Sequence, residues 1–170
     1  MSAPSSFKTI VVLLDFSEDS TNVLAHAKML AKTFASNVVL MHGVPKHPTT
    51  LDVGPVSPVV LRDPTPEEWE MHKKRLLELC DTLAKEGFNA TAAQVQDITG
   101  ESVVIESKWL NADLIVLGSH HHGALHDLLM GSLSQQVLKH ALCPVLVIPA
   151  PGPDLVKAEA EKKAAETSAA

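Results

Sequence analysis

The chain has 170 residues, enough for one domain with a short extension. Its 14 basic residues against 20 acidic ones leave a net charge of −6, which argues against a broad grip on phosphate backbones, because counterion release needs clustered positive charge. With 45% hydrophobic residues, 4% aromatics and no Tyr, the chain can bury an aliphatic core and is poorly equipped to stack bases of a single strand.

Thr9–Leu14 is a continuous β-branched and aliphatic run, too short for a helix, and reads as a strand buried on both faces. Asp15-Phe16-Ser17 follows at its C-terminal end, with Ser17 or Asp19 able to cap a helix on which Val23, Leu24, Ala27, Leu30, Ala31 and Phe34 recur at helical spacing. Val38–Met41 is a second apolar run ending in His42-Gly43, where His42 reads as a packed, hydrogen-bonded histidine. Residues 45–66 hold six prolines, which predicts a long surface loop without regular structure. Thr65-Pro66-Glu67-Glu68 is a helix start, Trp69, Leu76, Leu79, Cys80 and Leu83 form its buried stripe, and Gly87 is placed to end it. Ala90–Val95 is a weaker strand, Glu101–Leu110 a helix, Leu114–Leu117 a strand ending at Gly118, Ser132–Leu142 a helix, and Val145–Ile148 the last strand. Alternation of strands and helices predicts an α/β fold, a parallel sheet with helices on both faces, over residues 1–150. Residues 151–170 change to Ala, Lys and Glu and read as an exposed C-terminal tail.

Cys80 and Cys143 make no CxxC pair and cannot build a disulfide framework, so a reducing, cytoplasmic setting is expected. No secretory signal is visible in Met1–Lys8, and no apolar run approaches the ~20 residues a membrane helix needs. The expected partners therefore include neither nucleic acid nor membrane.

In an open parallel sheet, ligands sit beyond the C-terminal ends of the strands, where strand order reverses. Asp15, Gly43 and Gly118 fall at such ends. On spacing alone Asp15 reads equally as a ligand residue and as a plain loop carboxylate or helix cap. Gly131-Ser132, at the start of the last helix, is either a phosphate cradle of backbone N–H groups or a plain turn glycine and cap. Neither GxxxxGK[ST] nor GxGxxG occurs, and the glycine segment holds no lysine, which disfavours fast phosphoryl transfer. His120, His121, His122 and His126 invite a metal reading, but adjacent imidazoles cannot converge on one ion; the alternative is that one or two line a phosphate mouth, and no metal site is assigned. There is no GxSxG, HExxH or CxxC, and no catalytic residue is assigned.

Ile10–Ser17, Val39–Gly43, Ala112–His120, Gly131-Ser132 and His140–Ile148 together resemble the universal stress protein (UspA-like) family over roughly residues 7–149. The resemblance implies an open five-stranded parallel sheet of order 3-2-1-4-5, of adenine nucleotide alpha hydrolase-like fold, a homodimer, and a regulatory role that binds ATP or AMP, with Mg as a candidate companion. It implies that Asp15 meets the ribose, Gly43 the adenine edge, and Gly118, Gly131, Ser132 and Leu133 the phosphates, within a set that also holds Phe16, Ser17, Leu117, His120, His121 and Ser134. The nucleotide-binding pattern has Gly, two residues, Gly, nine residues, Gly, then Ser or Thr; here His121 stands at the middle glycine. That departure supports the rival reading, a dimeric interaction protein that binds no nucleotide. Weak ATP hydrolysis stays open, the downstream protein is unknown, and the dimer is expected through the Val145–Ile148 edge strand.

Overall fold

In the computed structural model the chain is described at residues 6–17, 19–44, 50–51, 59–60, 64–96, 98–119 and 132–149. The elements run β1 (Thr9–Leu13), α1 (Asp19–Phe34), β2 (Asn37–Val44), β3 (Thr50–Leu51), β4 (Val59–Val60), α2 (Pro66–Lys85), β5 (Ala90–Gln96), α3 (Gly100–Trp109), β6 (Leu114–Gly118), α4 (Ser132–His140) and β7 (Val145–Ile148). Five of the strands form one sheet in the order β5-β2-β1-β6-β7, the expected 3-2-1-4-5, and all four pairings are parallel.

Period-two alternation sorts the sheet's side chains. Ile10, Val12, Leu14, Val38 and Leu40 face α1 and α2, against Val23, Ala27, Ala31, Leu76, Cys80 and Leu83. Val11, Leu13, Val39, Met41, Ile115 and Leu117 face the other layer, against Val103 of α3 and Val137 of α4. Both faces of the central strands are buried, which is why β1 and β6 read as unbroken apolar runs. Phe34 departs from the predicted stripe of α1: it is partly exposed and meets the Phe7 ring edge-on at 5.1 Å between centroids.

The helices are delimited by their own backbone chemistry. α2 and α3 each start in a capping box, Thr65 with Glu68 and Thr99 with Ser102, which satisfies first-turn N–H groups. α2 ends in a Schellman motif: Gly87 has φ +90, its N–H reaches Ala84 O at 3.0 Å, and Phe88 N–H reaches Leu83 O at 3.0 Å. The same turn ends α1 at Ala35 (φ 52) and α3 at Asn111 (φ 51), with Ser36 N–H on Ala31 O and Ala112 N–H on Ser107 O.

The proline-rich stretch corrects one expectation. Within 45–66, β3 and β4 pair antiparallel, Thr50 with Val60 and Leu51 with Val59. Neither two-residue segment contains a proline, so their ladder groups stay available. The tail at 151–170 lies outside the described residues. Among the described residues, no helix is long and apolar enough to cross a membrane.

Candidate functional site

The strand order reverses at β1, which has β2 on one side and β6 on the other. The crevice of such a sheet opens beyond the C-terminal ends of these strands. Three of the sequence-derived segments meet there: the loop after β1, the end of β6 and the first turn of α4.

Asp15 organises the loop. Its Oδ1 accepts hydrogen bonds from Ser17 N–H at 3.0 Å, Ser17 Oγ at 2.7 Å and Ser20 Oγ at 2.7 Å. Ser20 Oγ also accepts from Asp15 N–H at 3.3 Å. The loop-carboxylate reading of Asp15 therefore holds, and the residue stays exposed at the mouth. Phe16 next to it has φ 62, a left-handed conformation that costs a non-glycine residue about 1 kcal/mol and persists only when its surroundings over-determine it.

Those surroundings come from β2 and α2. The Phe16 ring lies 4.3 Å from His42 and 5.8 Å from His72 between centroids, and the Arg75 guanidinium lies over it at 4.5 Å. His42 is buried, as expected, and its Nδ1 sits 2.7 Å from Leu14 O. A carbonyl can only accept, so this nitrogen carries the hydrogen. Nε2 of His42 lies 2.9 Å from Nδ1 of His72. Burial pushes the His42 imidazole below its ordinary value, opposed by the bond to Leu14, and His72 and Arg75 press it the same way as burial. Sequence reasoning missed His72 and Arg75. Four residues ahead of Leu76, His72 falls on the helical stripe that ends at Leu83, and that spacing was the available signal. A groove of about 410 Å³ opens between α1 and α2 beside this cluster, walled by Phe16, Ser20, Arg75, Glu78 and Thr82.

On the β6 side, Ser134 is buried and its Oγ donates to Gly118 O at 3.2 Å. Ser119 N–H donates to Ile148 O at 2.9 Å. The first bond docks the start of α4 onto the end of β6, and the second continues the β6–β7 ladder past Gly118. The Leu117 side chain is buried in the α3–α4 layer and Leu133 packs against it, so each has only its backbone to offer a ligand. Two glycines are fixed by packing. A Cβ on Gly43 would meet Ile98 Cβ at 2.6 Å, and one on Gly100 would meet Gln136 Cβ at 2.1 Å. Gly43 is thus required by Ile98 whatever it offers a ligand. His120, His121, Gly123 and Gly131 lie outside the described residues, as do His122 and His126; Ser132 is described as the first residue of α4, without its side chain.

A larger cavity, about 710 Å³ and lined by Lys28, Ser36, Asn37, Glu86 and Asn89, lies at the opposite pole. It sits beside the strand starts and the C-terminal ends of α1 and α2, on the wrong side of the sheet for an α/β ligand site.

A model of the Universal stress protein family matches residues 6–149. A universal stress protein of Thermus aquaticus is 30% identical over 148 residues, covering 84% of this chain and 98% of that one. One from Methanocaldococcus jannaschii is 29% identical over 153 residues, covering 85% and 84%. Among solved structures, UspA from Lactobacillus plantarum aligns with a TM-score of 0.66 at 20% identity, covering 85% of this chain and 99% of that one. The Archaeoglobus fulgidus universal stress protein in complex with dAMP aligns at 0.61 and 21%, covering 84% and 98%. At these identities the structures show a shared fold.

Proposed function

Given that the chain belongs to the universal stress protein family, we propose that it is an adenine-nucleotide-binding regulatory module, taking ATP or AMP, and that it works as a homodimer. The observation that carries this reading is the meeting of the Asp15 loop, the end of β6 and the start of α4 at the topological switch point. Structural neighbours in complex with dAMP and with cAMP support the choice of ligand class. In this reading Asp15, Phe16 and Ser17 present the ribose side, and Gly43 bounds the base. Backbone groups of Leu117, Gly118, His120, His121, Gly131, Ser132 and Leu133 surround the phosphates, where the N-terminus of α4 favours negative charge. Ser134 holds the cradle through Gly118 rather than touching the ligand. Mg would travel with ATP. The role is binding rather than catalysis, the domain spans 1–150 with the tail outside it, and the downstream protein partner is a separate question.

Mass spectrometry of the acid-released supernatant from freshly purified protein tests this directly, with near-equimolar adenine nucleotide expected. Gly131→Asp places a carboxylate at the cradle and is expected to abolish binding in calorimetry while the fold survives. One observation favours a second reading, a dimeric interaction protein without nucleotide: His121 occupies the middle glycine position of the binding pattern. An empty supernatant together with no calorimetric response to ATP or AMP would select it.

A further inference from the structure

The nucleotide reading gives no task to the groove on the α1–α2 seam, which lies on the face of the sheet away from α3 and α4. Its volume of about 410 Å³ is in the range of small-molecule sites. Leu14, Leu24 and Leu79, buried or half-buried, supply its apolar part, and the exposed Arg75, Glu78 and Thr82 of α2 its polar side. Arg75 and Glu78 are three residues apart and so share one side of the helix. Among the described residues no ion pair joins them, and Glu78 has a loose contact with Lys74 at 3.9 Å between exposed side chains. The Arg75 guanidinium lies instead over the Phe16 ring at 4.5 Å, with no carboxylate on its N–H fork among the described residues. Phe16 is itself held, with φ 62 and its ring 4.3 Å from His42 and 5.8 Å from His72 between centroids. A guanidinium stacked on a fixed ring is oriented in advance and loses less freedom on taking a ligand.

We propose that this groove binds a small aliphatic α-amino acid as its zwitterion. The ligand carboxylate accepts the Arg75 fork, its ammonium donates to the Glu78 carboxylate, and its side chain lies on Leu24 and Leu79. Charge selects the zwitterion. A simple carboxylate satisfies Arg75 but meets Glu78 with like charge, and a simple amine has the converse fault. A longer peptide carries its two terminal charges too far apart to meet residues one turn apart. The bidentate Arg–carboxylate contact is the stronger of the two, and the exposed ammonium contact the weaker. Ser17 and Ser20 border the groove, and both hydroxyls donate to Asp15 Oδ1 at 2.7 Å. An occupant therefore touches the residues that shape the Asp15 loop, whether or not that loop takes a nucleotide.

Titration of the full chain with L-leucine at neutral pH and low salt, followed by nuclear magnetic resonance, tests the site. Saturable shifts are expected at the Phe16, Ser17, Ser20 and Thr82 amides, with a Kd of about 1 mM or tighter. Isocaproate, which is leucine without its amine, should bind about threefold more weakly, and isoamylamine, which lacks the carboxylate, about tenfold. Arg75→Gln should weaken leucine about tenfold, and Arg75→Lys, which keeps the charge and loses the fork, by less. Glu78→Gln should erase the preference for leucine over isocaproate. All three substitutions are at exposed positions, and an unchanged denaturation midpoint checks that the fold survives. Absence of a saturable response at ten times the expected Kd, shifts confined to the end of β6 and the start of α4, or unchanged leucine affinity in Arg75→Gln each overturns the site. Equal affinity of the wild type for leucine and isocaproate overturns the zwitterion.

Discussion

Gly100→Ala would test how closely α3 and α4 depend on one missing methyl group. The added Cβ would stand 2.1 Å from Gln136 Cβ and 3.0 Å from the Gln136 backbone carbon. Ordinary carbon contacts are about 3.5–4.0 Å, so the helices must separate by roughly 1.5 Å at this point. Part of the obstruction is main chain, which cannot swing away as a side-chain end can. Overpacking of this kind costs about 1–3 kcal/mol, and the backbone involvement puts the expectation at the upper end. For a chain of this size that corresponds to a fall in Tm of roughly 6–10 °C. Urea denaturation should show a lower midpoint at an unchanged slope. A companion series locates the cause. Gln136→Gly removes the opposing Cβ, and in the Gly100→Ala background it should recover more than about 1 kcal/mol of coupling, despite the loss of the Gln136 Oε1 bond to Gly100 N–H. Gln136→Ala keeps that Cβ and should recover nothing. Wild-type stability in Gly100→Ala, or equal recovery by both substitutions, would refute the contact argument. Because Ser134 of the same helix holds Gly118, any nucleotide affinity of the proposed site should fall along with stability.

Ala35→Gly should stabilise the protein by about 1 kcal/mol, since Ala35 ends α1 in a left-handed conformation that glycine adopts without a Cβ penalty; a denaturation midpoint that fails to rise would contradict it. Burial holds His42 below its ordinary value of 6.5, so the folded state resists a proton that the unfolded chain accepts. The stability this provides is complete above that value and is lost as pH falls below it, and the slope of unfolding free energy against pH should be shallower in His42→Asn over that window. If the homodimer forms through β7, Val147→Lys should shift the light-scattering mass toward one chain; an unchanged dimer mass would place the interface elsewhere.

The frame of this fold was legible because its determinants are local in sequence. Ile10–Leu14 and Leu114–Leu117 are apolar without interruption because they are buried on both faces, and Thr65-Pro66 and Gly87 bound α2 by backbone chemistry visible in the residue types. The ends of α1 and α3 were less legible. Ala35 and Asn111 adopt the left-handed turn that Gly87 advertises, yet alanine carries no such signal. At the site, Asp15 could be placed by its position after β1, whereas its engagement with both Ser17 and Ser20 depends on the path of the loop into α1. His72 meets His42 across 30 residues of chain, and no local pattern pairs them. Gly43 was legible as a glycine that matters, but its reason, the approach of Ile98 from beyond β5, is tertiary.

The place of β1 bears on how the protein is made. Ile10 pairs on one side with Val38 and on the other with Leu114, and Asp113 Oδ2 accepts the N–H groups of Lys8 and Thr9 at 2.8 and 2.9 Å. The central strand is thus the first of the sheet's five strands to leave the ribosome and among the last to be enclosed. At typical synthesis rates the interval between the emergence of β2 and of β6 is roughly 4–15 s, far longer than hydrophobic collapse. Throughout it, Ile10–Val12 presents an apolar strand with one ladder edge open, the arrangement most prone to pairing with a neighbouring chain. Nascent chains stalled before Leu114 should therefore be the aggregating species, and α1, laid over the other face of β1 early, gives that strand its main cover until β6 arrives.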